Sequence, residues 1–300
     1  LPGYSIQEVL EQIRPALRPR TPVGSIVSST GFFSVAFEVL PPDTPLFGFQ
    51  RVPFISRLTE YGHSATLLGY KPSLNISVEQ TDEREGIRKE IERLFHVPTH
   101  LLSNYYEASL TNSNPILHPA RLYSMWKGWC EGRVYPVQAL FYEEWTDEAS
   151  ELLIAMDREF QALLDTLPVT KGSIPPILNY YESHDASSLT QKLRSIQAFQ
   201  GIRAPMKEVK TGWVPDFQSR YFTEDFPFGL KLVQDLARKQ GVATPTIDKI
   251  MAWGSQRIQN AALRSRFNPE GSQLRRLQLR MLDILLEIDR ICQRHHIRYW

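Results

Sequence analysis

Apolar residues recur along this 300-residue chain with two rhythms. Through about residue 103, runs of strand length alternate with stretches of helical period, and beyond it the helical period prevails. In the first region Ile6, Val9, Leu10 and Ile13 share one helical face behind Ser5 and Glu8, which are spaced as a capping box. Thr21–Ser29 is a short β-type run, and Gly31 opens a short segment (FFSVAFEVL) with helical character. Phe47–Leu58, Ala65–Leu68 and Leu74–Val78 carry strand patterns. Asp82–His96 is amphipathic, with Ile87, Ile91, Leu94 and Phe95 turned inward. Strands separated by helices of this length predict a parallel α/β sheet over residues 1–103.

From residue 104 onward the pattern predicts helices. Thr146–Leu167 places Leu152, Met156, Phe160 and Leu163 at helical spacing, and Ser187–Phe199 does the same with Leu189, Leu193, Ile196 and Phe199. Phe226–Gln240 stops at Gly241, and Thr244-Pro245 starts another helix with Asp248 in its first turn. An all-helical domain is therefore expected over 104–261. The polar stretch 262–273 is expected to be a linker, after which Leu274–Cys292 resumes an apolar helical stripe as the start of a further domain. The chain opens at Leu1 without Met, on LPGY, which has the character of a strand exit, and it stops at Trp300 soon after that stripe. The expectation is a fragment cut on both sides.

Leu110–Trp126, LTNSNPILHPARLYSMW, combines a helical period with Pro115 and Pro119. A proline inside a helix removes a donor and clashes with the carbonyl four residues back, at about 3 kcal/mol or more. Asn114, His118 and Arg121 fall on one face of this segment. A proline-interrupted helix carrying a polar stripe in an apolar surround is expected to line a site, with His118 as proton donor and acceptor near neutral pH.

Composition removes several function classes. Thirty-four basic against 33 acidic residues leave a formal charge of +1, without the basic field that a nucleic acid partner requires. The hydrophobic share of 42% is ordinary for a globular protein. No apolar run approaches the roughly 20 residues of a membrane span. Two cysteines, Cys130 and Cys292, supply neither a disulfide framework nor a Cys-rich metal site, which fits a cytoplasmic setting.

Arg220 and Asp225 stand in RYFTED, among Trp213, Phe217, Tyr221, Phe222, Phe226 and Phe228. Charges in so aromatic a stretch are costly unless paired or used. Asp225 could orient an imidazole and favour its protonated form, and Arg220 could hold a carboxylate through two parallel hydrogen bonds. Pro2-Gly3 and Ser29-Thr30-Gly31 are small-residue turns after strand signals, where ligands of open α/β sheets bind, although no GxGxxG occurs. His184-Asp185 with Glu182, and His295-His296, match no common metal-ligand spacing, so no metal is expected.

LPGYSIQEVL, SSTGFF, GFQRVPFISR, LTNSNPILHPARL, RYFTEDFPFGL and GVATPTIDKI, in this order, resemble the octopine/nopaline (opine) dehydrogenase family over roughly residues 1–255. The resemblance implies the C-terminal half of a Rossmann domain followed by a helical opine dehydrogenase domain, with the glycine-rich phosphate loop upstream of Leu1. It implies NAD(P)H as cofactor, and an amino acid or amine with a 2-oxo acid as substrates. By the same resemblance His118 and Asp225 are the catalytic pair, Arg220 and Asn114 contact substrate, and Pro2, Gly3, Ser29, Thr30 and Gly31 lie along the cofactor. LQLRMLDILLEIDRICQRHHIRYW is similar to the opening of the LicD family of phosphotransferases, which implies a fused polypeptide. Two other outcomes compete: a silent scaffold whose helical domain forms a homodimer or presents the C-terminal transferase, and a parent protein that is chiefly a LicD-type transferase.

Overall fold

The computed structural model describes residues 1–29 and 31–266. The described residues form two compact units: Leu1–Ser113 with Leu164–Pro175, and Asn114–Leu163 with 176–266.

The first unit contains, in order, α1 (Ile6–Ile13), β1 (Val23–Ser25), α2 (Phe32–Val39), β2 (Leu46–Phe49), β3 (Phe54–Glu60), β4 (Ser64–Tyr70), β5 (Leu74–Glu79), α3 (Arg84–Phe95), β6 (Thr99–Leu101) and α4 (Tyr105–Ser109). Its main sheet has the order β1-β2-β5-β6. β1 runs parallel to β2 and β5 parallel to β6, but β2 and β5 are antiparallel. The α/β architecture expected from the sequence is present, and its parallel sheet is corrected to a mixed one at the β2–β5 step. A parallel step needs a crossover of a dozen or more residues, usually helical. The chain between β2 and β5 instead folds on itself as the β3–β4 hairpin, so β5 returns in the opposite direction. The single strand expected over 47–58 is also broken, since β2 ends at Phe49 and β3 begins at Phe54. Pro53, which has no N–H to give a ladder, lies in the gap.

The sheet separates two apolar clusters. Leu46 joins Ile6, Leu10, Phe32, Phe33 and Ala36, whereas Phe49 joins Leu74, Ile76, Val78 and Ile91. Residues three apart on a strand point to opposite faces, which accounts for the division. Gly48 faces the first cluster, where a Cβ would lie 2.5 Å from the Phe33 ring, so α2 can pack this closely only on glycine. Leu94, expected inward on α3, is 56% exposed.

The second unit contains α5 (Asn114–Trp126), α6 (Asp147–Leu164), α7 (Ile177–Tyr180), α8 (Ala186–Ser195), the hairpin of β7 (Met206–Val209) and β8 (Gly212–Pro215), α9 (Arg220–Thr223), α10 (Lys231–Lys239) and α11 (Pro245–Arg266). A π turn, Phe226–Leu230, joins α9 to α10. Gly241 follows α10 with φ +70, the left-handed conformation that ends a helix with little strain on glycine. Pro245 opens α11, and the backbone N–H groups of Thr246 and Ile247 donate to the Glu159 carboxylate at 2.7 and 2.9 Å. α11 continues to Arg266, so the first part of the stretch expected as a linker from 262 is helix. The segment expected to open a LicD-type domain, with Cys292, His295 and His296, lies outside the described residues. Among the described residues no helix is long and apolar enough to cross a membrane.

Candidate active site

α5 begins at Asn114, which places Pro115 in the first turn, where a missing N–H costs little. Only Pro119 is interior, so the two internal prolines of the sequence reading become one. Pro119 can donate nothing to the Pro115 carbonyl four residues back. Pro115 is also where the π turn docks: a Cβ on Gly229 would lie 3.1 Å from the Pro115 ring. The π turn is closed by Leu230 N donating to Asp225 O at 2.7 Å, a reach of five residues. Behind it, a Cβ on Gly254 of α11 would fall 2.0 Å from the Phe226 ring. Two glycines therefore seat the turn against α5 and α11, and Asp225 stands at its head.

This packing brings the Asp225 carboxylate to His118, with Nδ1 and Oδ2 2.8 Å apart. A carboxylate only accepts, so Nδ1 carries the hydrogen. The two side chains are 11% and 21% exposed, sheltered but not sealed. The other ring nitrogen, Nε2, is 2.9 Å from the Tyr142 hydroxyl. Tyr221 and Phe141 pack around the imidazole with ring centroids at 4.8 and 5.6 Å.

Tyr142 was not singled out by the sequence, because it sits in a turn with no periodicity to mark its direction. Arg121 explains its placement. The Arg121 guanidinium is buried and donates to three carbonyls, Phe141 O at 2.9 Å, Glu144 O at 2.7 Å and Leu140 O at 3.5 Å. The third member of the expected stripe thus braces the loop that carries Tyr142. Burial lowers the pKa of Arg121 to about 10, still well above neutral, so it remains a cation. Burial likewise pushes the Tyr142 phenol far above its usual value, with Tyr221, Tyr181 and Asp225 adding to the effect.

The other residues expected at the site lie on several elements of the two units. Asn114 is half-buried one turn before His118. Arg220 is exposed at the start of α9, immediately before Tyr221, and makes no ion pair among the described residues. In the first unit, Pro2 leads into a 3-10 turn, Gly3–Ser5, and its carbonyl accepts from both the backbone N–H and the hydroxyl of Ser5. Ser5 therefore does not cap α1, and the expected capping box does not form. Ser29 is buried beyond β1, and Gly31 heads α2 at φ +80 with nothing within 4 Å of its Cβ direction. Thr30 lies outside the described residues.

The residues around His184 have structural roles. Asp185 caps α8 through Ser188, His184 lies 3.6 Å from Asp185, and Glu182 pairs with Lys192. Trp126 packs on Phe217 and Phe222, and Trp129 takes the Arg257 guanidinium over its ring.

Residues 101–258 match the NAD/NADP octopine/nopaline dehydrogenase alpha-helical domain. The opine dehydrogenase of Haliotis discus hannai is 28% identical over 279 residues, covering 86% of this chain and 68% of that protein. The octopine dehydrogenase of Pecten maximus is 24% identical over 274 residues, with the same 86% and 68% coverage. Among solved structures, an octopine dehydrogenase with NADH and L-arginine matches at a TM-score of 0.74 and 23% identity, over 86% of this chain and 68% of that one. Because that match spans more than half of this chain, the protein belongs to the octopine/nopaline dehydrogenase family and is an NAD(P)-dependent oxidoreductase of the opine dehydrogenase type.

Proposed function

We propose that this protein joins the amine of an amino acid to the keto carbon of a 2-oxo acid and reduces the resulting imine. The observation that carries the reading is the 2.8 Å contact of His118 with Asp225, groups 107 residues apart in the chain. The carboxylate fixes the ring's orientation and keeps a hydrogen on Nδ1, so proton traffic runs through the Nε2 side. Attack of the amine on the keto carbon gives a carbinolamine, and loss of its hydroxyl as water requires a proton, which His118 supplies. NAD(P)H supplies the hydride for the imine carbon. Arg220, without an ion-pair partner of its own among the described residues, holds the oxo acid carboxylate, and Asn114 adds a polar contact beside His118.

Pro2, Gly3, Ser29, Thr30 and Gly31 are the residues we assign to the cofactor. The donor set fits: Gly31 presents bare backbone with open space at the head of α2, and Ser29 offers a buried hydroxyl beyond a strand end. The same reading assigns 1–103 to the cofactor and the helical domain that begins at 104 and closes with α11 to the substrate. For 274–300, similarity to the LicD opening is the support for a fused transferase segment.

His118→Ala tests the proposal. Oxidation of NAD(P)H in the presence of an amine and a 2-oxo acid should fall by about 100-fold or more, with the circular dichroism spectrum retained. An unimpaired variant would refute the assignment.

A further inference from the structure

His118 is filled at both ring nitrogens, by Asp225 at Nδ1 and by Tyr142 at Nε2. The proposed condensation needs a proton to leave the ring, and the carboxylate side cannot deliver it to substrate while it orients the imidazole. We propose that Tyr142 is a catalytic residue, its hydroxyl relaying the proton between His118 Nε2 and the reacting oxygen of the substrate; this rests on the function proposed above.

The alternative route, in which substrate pushes the phenol aside and meets Nε2 directly, is opposed by the packing. The Tyr142 ring is stacked on Phe199 with centroids 4.0 Å apart and lies nearly coplanar in orientation with Trp145 at 6.0 Å. Phe141 closes a third side edge-on at 4.9 Å. Arg121 fixes the backbone on both sides of the residue, through Phe141 O and Glu144 O. A phenol held on three faces and at its backbone does not swing out readily.

The chemistry suits a relay. A hydroxyl donates to a neutral imidazole and accepts from a protonated one, so one geometry serves both states. The proton on Nε2 passes to the phenol oxygen as the phenol's own proton moves to the carbinolamine hydroxyl. The C–O bond breaks, water leaves, and the nitrogen lone pair closes the C=N bond. The imidazole ends neutral and the phenol unchanged. Because burial pushes its ionisation far up, Tyr142 stays a hydroxyl throughout and never accumulates as phenolate. Among the described residues the titratable groups in contact with the imidazole are Asp225, Tyr142 and Tyr221; Arg121, on the same helix, is committed to carbonyls.

Tyr142→Phe separates the two routes because they differ in sign. A relay loses about 100-fold or more in kcat, with KM for both substrates little changed. A displaced phenol would leave Nε2 free in the variant, with kcat equal to or above that of the unaltered protein, and that result overturns the proposal. The unaltered full chain gives a second measurement that does not depend on the variant's folding. A relay moves two protons, so kcat should follow a bowed curve against the deuterium fraction of the solvent, and a straight line overturns it. A third arm needs no turnover: the Tyr142 hydroxyl proton should show a downfield NMR resonance coupled to His118 Nε2. Absence of that resonance overturns the relay while leaving the condensation reading intact. If the resonance is present but His118→Ala does not impair oxidation of NAD(P)H, the condensation reading fails and takes the relay with it.

Discussion

Asp225→Asn is the most direct perturbation of the site, because asparagine keeps the size of the side chain and removes its charge. In the native structure Oδ2 is 2.8 Å from Nδ1, and the carboxylate is 21% exposed, so its attraction for a protonated imidazole is only partly screened. A hydrogen bond to a charged group contributes about 1.5–3 kcal/mol net. At about 1.4 kcal/mol per factor of ten, losing it from the proton-donating state lowers kcat by about 10- to 150-fold. A further penalty arises if the new amide presents its N–H to Nδ1, since that drives the hydrogen to the wrong nitrogen. The assay is the initial rate of NAD(P)H oxidation at saturating amine and oxo acid, with thermal melts to show that the fold survives. A kcat within about threefold of the unaltered protein, well inside the rate loss that 1.4 kcal/mol represents, would refute the reasoning. So would a loss confined to KM, because orientation of an acid–base group acts on the chemical step.

Two further perturbations probe the packing that supports the site and its sheet unit. Gly254→Ala drives a methyl into the Phe226 ring, 2.0 Å away, and both residues are buried. Overpacking of this kind costs about 1–3 kcal/mol. Because Phe226 adjoins Asp225, urea midpoint and kcat should fall together, and a variant unchanged in both would mean that the π turn is not seated as described. In the first unit, buried Glu107 accepts from the backbone N–H groups of Ser103 and Thr170 at 3.1 and 2.6 Å. Burial alone would raise its pKa, but these hydrogen bonds outweigh it and hold the carboxyl below 4.5. A depressed folded value means that the contribution to stability is full above about pH 4.5 and is lost as pH falls through the folded value. Urea melts of the unaltered protein and Glu107→Gln should therefore converge in acid and separate toward neutral pH; a constant gap would contradict the sign.

Sequence alone determined the periodic features. Helical spacing marked α3, α5, α6, α8 and α10, and Gly241 marked a helix end, because amphipathic period and capping chemistry are local properties written in consecutive residues. His118 and Asp225 stood out as an imidazole and a carboxylate in apolar and aromatic surroundings, where a polar group needs a partner. Strand direction was not legible. Whether residues 50–73 form a crossover or a hairpin depends on which edge β5 joins, and that is a non-local choice. Leu94 and the Ser5–Glu8 spacing misled for a related reason, since exposure and hydrogen-bond choice follow the neighbouring chain as well as the local pattern.

Only the tertiary structure decided the site's composition. Arg121 shares a helical face with His118, yet its donors are drawn away by the carbonyls of the 140–144 turn. Tyr142 has no periodic signal, and it reaches Nε2 because that turn is braced and its ring is stacked. Gly229 and Gly254 read as ordinary glycines until Pro115 and Phe226 are seen against them. A sequence names which groups cannot remain unpaired in an apolar interior, whereas the partner each one finds is fixed by close packing between segments far apart in the chain.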